Sequence, residues 1–87
     1  MIRPRLATGN RLQYDDIRAE HLLLVPEGVV RLNASAAAVL ELCDGERSID
    51  DIVGALAARY DGADVGDDVR ELVDAMARKG LVVDAAS

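Results

Sequence analysis

The sequence predicts an α+β, winged-helix-like domain: a three-stranded antiparallel meander followed by three helices. Three observations predict it. Residues 11–32 hold three short apolar or alternating runs separated by turn residues. Residues 34–79 hold three stretches with helical spacing of apolar residues, and glycine follows the first and third. The connections are short, so neighbours in sequence are expected to be neighbours in space.

Taken in order, residues 1–10 lack periodicity and contain Pro4 and Gly9, and read as an extended arm. Arg11 to Asp15 alternates, with Leu12 and Tyr14 on one face of a first strand. The segment DDIRAE is a turn. His21 to Val25 is a dense apolar run, a second strand that Pro26 stops. Glu27-Gly28 turns the chain, and Val29 to Leu32 returns as the third strand.

Asn33 is placed to cap a helix over Ala34 to Leu42, and Gly45 stops it. Ser48 and Asp51 have the spacing of a capping box, opening a second helix that runs to about Tyr60. A polar loop, DGADVG, leads to a third helix from Val65 or Asp67 to Lys79, with Val65, Val69, Leu72, Val73 and Met76 as its stripe. Asp67 and Asp68 lie at its positive end, and Arg78 and Lys79 at its negative end. Gly80 terminates it. Leu81 to Val83 can make a last extended contact. The expected organisation is an arm over 1–10, a folded domain over 11–83 and a flexible tail over 84–87.

The 87 residues suffice for one small core. Hydrophobic residues make up 51 %, but fourteen are alanines and only Tyr14 and Tyr60 are aromatic. Leu, Val and Ile must therefore supply the burial that offsets chain entropy. Modest stability is expected. The early segment is too broken for a signal peptide, no apolar run has transmembrane length, and Cys43 has no partner for an internal disulfide. A cytoplasmic location is expected.

The net charge of −6 is lopsided: residues 1–33 carry +1 and residues 34–87 carry −7. An acidic helical half repels phosphate backbones and anionic lipid, and tolerates a basic peptide or protein patch. Membranes and nucleic acid are therefore not expected partners. The order of elements still admits a winged-helix DNA-binding regulator as the alternative function. Its third helix would have to read bases with Arg70, Arg78 and Lys79 among four acids.

No catalytic or metal-binding pattern emerges. One histidine, His21, and one cysteine, Cys43, match no zinc spacing, and Cys43 reads as a structural thiol at the apolar end of a helix. Counted from Asp61, the acidic loop has Ala63 and Val65 where a calcium loop needs oxygen ligands. The single glycines between helices cradle no phosphate. The Asp-Ser-Leu attachment motif of acidic carrier domains is absent around Ser48. No enzyme activity and no cofactor are expected.

The third strand remains. Residues Val29-Val30-Arg31-Leu32 contain no proline and one charge, so as an edge strand they are poorly defended. Such an edge beside an apolar helix suits β-augmentation by an extended peptide. Equally, a helix or the amino-terminal arm could cover it.

At these residues the chain resembles the PqqD family of pyrroloquinoline quinone biosynthesis, over nearly its full length. The resemblance is carried by RLQYDDIR, LLVPEGVVRLNASAAAVLELCDG, SIDDIVGALAARY and DDVRELVDAMARKGLV. Most specific is the series Pro26-Glu27-Gly28, Leu32-Asn33, Cys43-Asp44-Gly45. The chain departs from the family at Leu81, where tryptophan is frequent. The resemblance implies a non-enzymatic peptide chaperone, a recognition element for ribosomally made and modified peptides. Its precursor peptide would be PqqA, presented to the radical-SAM enzyme PqqE, which cross-links a Glu and a Tyr of that peptide. Carried over to this chain, the peptide would add beside Val29, Val30, Arg31 and Leu32. It would lie against the third helix, for which Arg70, Val73, Asp74, Ala77 and Arg78 are the expected contacts. A homodimer through the edge strand or the arm is a further expectation.

Overall fold

The computed structural model describes residues 1–86. It contains β1 (Pro4–Leu6), β2 (Arg11–Asp15), β3 (Glu20–Val25), β4 (Gly28–Leu32), α1 (Ala34–Glu41), α2 (Ile49–Arg59), α3 (Gly66–Arg78) and β5 (Val82–Asp84). The predicted meander is present as an antiparallel sheet in the order β2-β3-β4, and the three helices follow.

Two elements lie outside that expectation. The amino-terminal arm is extended, and within it β1 pairs antiparallel with β5, Pro4 opposite Asp84 and Leu6 opposite Val82. The closing segment therefore ends as a strand, with Asp84 still paired. Its carboxylate accepts hydrogen bonds from the Ile2 and Arg3 amides at 2.9 and 3.0 Å. Gly45 N–H donates to the Pro4 carbonyl at 2.9 Å, which ties the arm to the end of α1 as well. Gly45 has φ +83°, and a Cβ there would lie 3.1 Å from the Ala85 Cβ, so glycine is required at this crossing.

The sheet's two faces differ as strand alternation dictates. Leu12, Leu23 and Val30 lie abreast on the inner face. Leu23 is fully buried there, and Leu12, Val30 and Leu32 pack partly against the core. α1 lies across this face and contacts all three strands. Its Ala36, Ala37 and Ala38 are buried, and their small side chains let the helix backbone come close to its neighbours. The alanine-rich composition thus serves close approach, while Leu40, Ile52, Leu56, Val69, Val73 and Val82 fill the centre.

The caps form as the sequence suggests. Asn33 Oδ1 accepts from the Ala36 amide at 2.7 Å. Ser48 and Asp51 make the reciprocal capping box, at 3.0 and 3.1 Å. α3 has no side-chain cap, but Asp67 and Asp68 occupy its first turn and Arg78 its last. Leu81 is half-buried against the core, and its carbonyl accepts from the Ala7 amide at 2.9 Å.

Candidate functional site

β4 begins with a two-residue turn, Pro26-Glu27, that pairs Val25 with Gly28. Such a turn closes on a hydrogen-bonded pair, and hydrogen-bonded pairs alternate along an antiparallel ladder. Val30 opposite Leu23 and Leu32 opposite His21 therefore direct their backbone groups toward β3. Val29 and Arg31 direct theirs the other way. No described strand lies on that side of β4, and the arm that could have covered it is engaged with β5 instead. The outward groups are the N–H and C=O of Val29 and of Arg31.

Side chains alternate in register with this. Val29 is 58 % exposed and Arg31 is exposed, both on the outer face. Arg31 Nε lies 3.8 Å from a Glu20 carboxylate oxygen. Val30 and Leu32 turn inward and are half-buried.

Where β4 ends, an apolar groove of about 380 Å³ opens between the start of α1 and one flank of α3. Asn33, the residue after β4, lines its near end, with Ala36 and Val39 from α1. Leu56 and Val69 contribute the buried floor. Val65, Asp68 and Leu72 form the α3 wall, and Tyr60, 45 % exposed, stands at the rim.

None of the α3 residues expected at the site lines this groove. Val73 is fully buried and supports the helix from beneath. Arg70 and Asp74 line a separate groove with Met1, Ile2 and Asp50, on the opposite flank of the core stripe. Arg70 Nη2 donates to Asp50 Oδ1 at 3.2 Å. Ala77, half-buried, and Arg78, exposed, follow on that flank by helical spacing. The structure thus places Val65, Asp68 and Leu72 on the groove that opens at the end of β4, and Arg70 and Asp74 on a separate one. The sequence signal for the groove-lining flank was the α3 stripe: Val65 and Leu72 belong to it yet stay only half-buried.

The remaining reactive groups are occupied structurally. Cys43 is buried, its thiol donates to the Val39 carbonyl at 3.4 Å, and burial, followed by the nearby Asp44 charge, pushes its pKa up to about 11. A thiol so held is not a nucleophile at neutral pH. His21 stacks obliquely on Tyr14, ring centroids 4.8 Å apart, across the β2–β3 pair. Among the described residues no three His, Cys, Asp or Glu side chains are grouped to hold a metal ion, and no helix is long and apolar enough to cross a membrane.

The sequence model of the family described as coenzyme PQQ synthesis protein D (PqqD) matches residues 20–82. A protein of Azotobacter vinelandii named PqqA binding protein is 46 % identical over 72 residues, covering 82 % of this chain and 78 % of its own. One of Rhodopseudomonas palustris (strain TIE-1), with the same name, is 39 % identical over 85 residues, covering 95 % of this chain and 83 % of its own. Among solved structures, the solution structure of the PqqD truncation of Methylobacterium extorquens PqqCD superposes with a TM-score of 0.78. It is 34 % identical and covers 92 % of this chain and 87 % of that one. That protein is described as a functional, stand-alone recognition element for ribosomally synthesised, post-translationally modified peptides.

Proposed function

The chain belongs to the PqqD family, and from that premise we propose that it is a non-enzymatic chaperone of pyrroloquinoline quinone biosynthesis. It captures the precursor peptide PqqA by strand addition at β4 and presents it to the radical-SAM enzyme PqqE in the cytoplasm. It contributes no cofactor of its own. The observation that carries this reading is the coincidence of a free strand edge with an apolar groove at its end.

Magnitudes explain why both are needed. Ordering five peptide residues costs about 5–10 kcal/mol of backbone entropy. The outward groups of Val29 and Arg31 return only about 0.5–1.5 kcal/mol for each hydrogen bond made. Edge pairing alone therefore does not hold a flexible peptide. Burial of about 200 Å² of apolar surface in the groove adds roughly 5 kcal/mol, enough to shift the balance. Peptide residues facing the way of Val30 and Leu32 point inward and supply that surface; those facing the way of Val29 and Arg31 remain in water.

Without peptide, the same edge is the natural place for two copies to pair as a homodimer. Peptide and second copy then compete, so PqqA addition dissociates any dimer seen by light scattering at high concentration.

The test is a titration of isotope-labelled protein with PqqA, following backbone amide shifts. Shifts over residues 28–33 and around Val65, Asp68 and Leu72 are expected. A saturated complex with those amides unmoved refutes the site.

A further inference from the structure

The groove beside β4 is mostly apolar, with Asn33, Ser35 and Tyr60 as its neutral polar residues. Of the residues that line it, Asp68 alone carries a charge. Three other acids nearby have partners: Asp50 bonds Arg70, Asp51 the Ser48 cap and Asp64 the Gly66 amide, while Asp67 and Glu71 lie outside the groove lining. Asp68 makes no hydrogen bond and no ion pair with any described residue. Arg70, the nearest cation along the helix, faces the opposite flank. An uncompensated carboxylate at the wall of an apolar groove is stabilised by the helix start it sits on, which explains why the fold tolerates it. It does not explain why the charge faces the groove.

We infer that Asp68 is a specificity determinant: it selects a peptide segment that places a lysine or arginine immediately beside the apolar side chain seated in the groove. This rests on the strand-addition reading above. The chemistry is complementary in two ways. The apolar wall takes a branched or aromatic side chain, whose neighbour in sequence is thereby brought to the rim, where Asp68 accepts from an ammonium or guanidinium. The surrounding acids Asp64, Asp67 and Glu71 extend the negative field, so a glutamate at that peptide position is repelled as well as unpaired. Selection by exclusion matters most, because an exposed ion pair by itself is weak. Tyr60, at the rim, offers an aromatic face to the same cation.

The experiment is a charge-swap cycle on the full chain, read by calorimetric titration. The probes are synthetic PqqA and variants in which each Lys or Arg is changed singly to Glu. Asp68→Lys and the milder Asp68→Asn are the protein variants, and thermal unfolding of each confirms that it is folded. Asp67→Lys is the control, since it alters the same helical turn and the same net charge outside the groove lining. Asp68→Asn is expected to weaken PqqA binding roughly two- to five-fold at about 50 mM salt, with the loss vanishing near 500 mM. One Lys-to-Glu or Arg-to-Glu peptide is expected to bind wild type roughly tenfold more weakly and to be rescued by Asp68→Lys but not by Asp67→Lys. The inference is overturned if no peptide is rescued, if Asp67→Lys rescues equally, or if Asp68→Asn binds PqqA as wild type does at low salt. Amide shifts on β4 separate the two levels: shifts present without rescue remove only the role of Asp68, whereas absent shifts remove strand addition itself.

Discussion

Proline substitutions at adjacent residues of β4 should have opposite consequences, and the difference follows from the register. Val29 N–H points away from the sheet and Val30 N–H points to β3. Proline at position 29 removes a donor that is bonded to water in the free protein, which an edge strand tolerates. Folding stability should change little. Peptide affinity should fall by one hydrogen bond, about 0.5–1.5 kcal/mol, or roughly two- to twelve-fold in Kd. Proline at position 30 instead removes a ladder bond and leaves the carbonyl of fully buried Leu23 without its donor. That costs about 1–3 kcal/mol of folding free energy, out of a total on the order of 4–13 kcal/mol for a chain this size. The assay pairs urea unfolding with calorimetric titration of PqqA for both variants. Val29→Pro binding as well as wild type would refute edge recognition through that donor. A Val30→Pro protein as stable as wild type would refute the register.

Four further outcomes are expected. Leu72→Ala, in the groove wall and half-buried, should weaken peptide binding roughly five- to tenfold while costing less than about 2 kcal/mol in urea denaturation. Gly45→Ala forces a Cβ at φ +83° to within 3.1 Å of the Ala85 Cβ and should lower stability by about 1–3 kcal/mol, read from the urea midpoint. Because Cys43 titrates near 11 when folded against 9.0 in its ordinary state, the unfolded chain loses this proton first. Stability should therefore fall between about pH 9 and pH 11 in wild type more than in Cys43→Ala, by urea midpoints across that range. Asp84 has its carboxyl lowered to about 2, chiefly by the Arg3 and Ile2 amides. Its contribution is present above about pH 4 and lost as pH falls toward 2, so Ile2 and Arg3 amides should exchange faster at low pH, and in Asp84→Ala at neutral pH.

Much of the architecture was legible because local chemistry decided it. Proline at 26, asparagine at 33, the Ser48–Asp51 pair and glycine 80 each mark a boundary that the structure keeps to within one or two residues, whereas α1 ends at Glu41, four residues before Gly45. The β1–β5 pairing was not legible, because nothing local in PRL or VVD announces a partner nearly eighty residues away. The flank of α3 that borders the groove was hidden for a related reason. Helical periodicity says which residues share a stripe, but not which side of that stripe borders a groove. That depends on how α3 crosses α1 and α2, a tertiary matter. Arg70 and Asp74 looked available because they are polar and periodic, whereas Val65 and Leu72 looked like ordinary core.

The terminal pairing bears directly on the open edge. A free strand edge is normally a hazard, blunted by charge, proline, brevity or cover. In this chain β4 is five residues long with Arg31 as its one charge, and the arm over residues 1–10 is a segment long enough to cover it. That arm is held away by β5, by the Asp84 carboxylate and by the Gly45–Pro4 hydrogen bond. The clamp at the termini therefore removes the chain's own competitor for the β4 edge. It follows that loosening the clamp, through Asp84→Ala or Gly45→Ala, should do more than reduce stability. A released arm, extended and carrying Ile2 and Leu6, gains access to the same edge and groove as the peptide. Affinity for PqqA should then drop in these variants although every residue of the β4 site is intact. Deleting residues 1–7 from the Asp84→Ala protein should restore it if the arm is the competitor. Failure of that restoration in a folded protein would show that the clamp acts on stability alone.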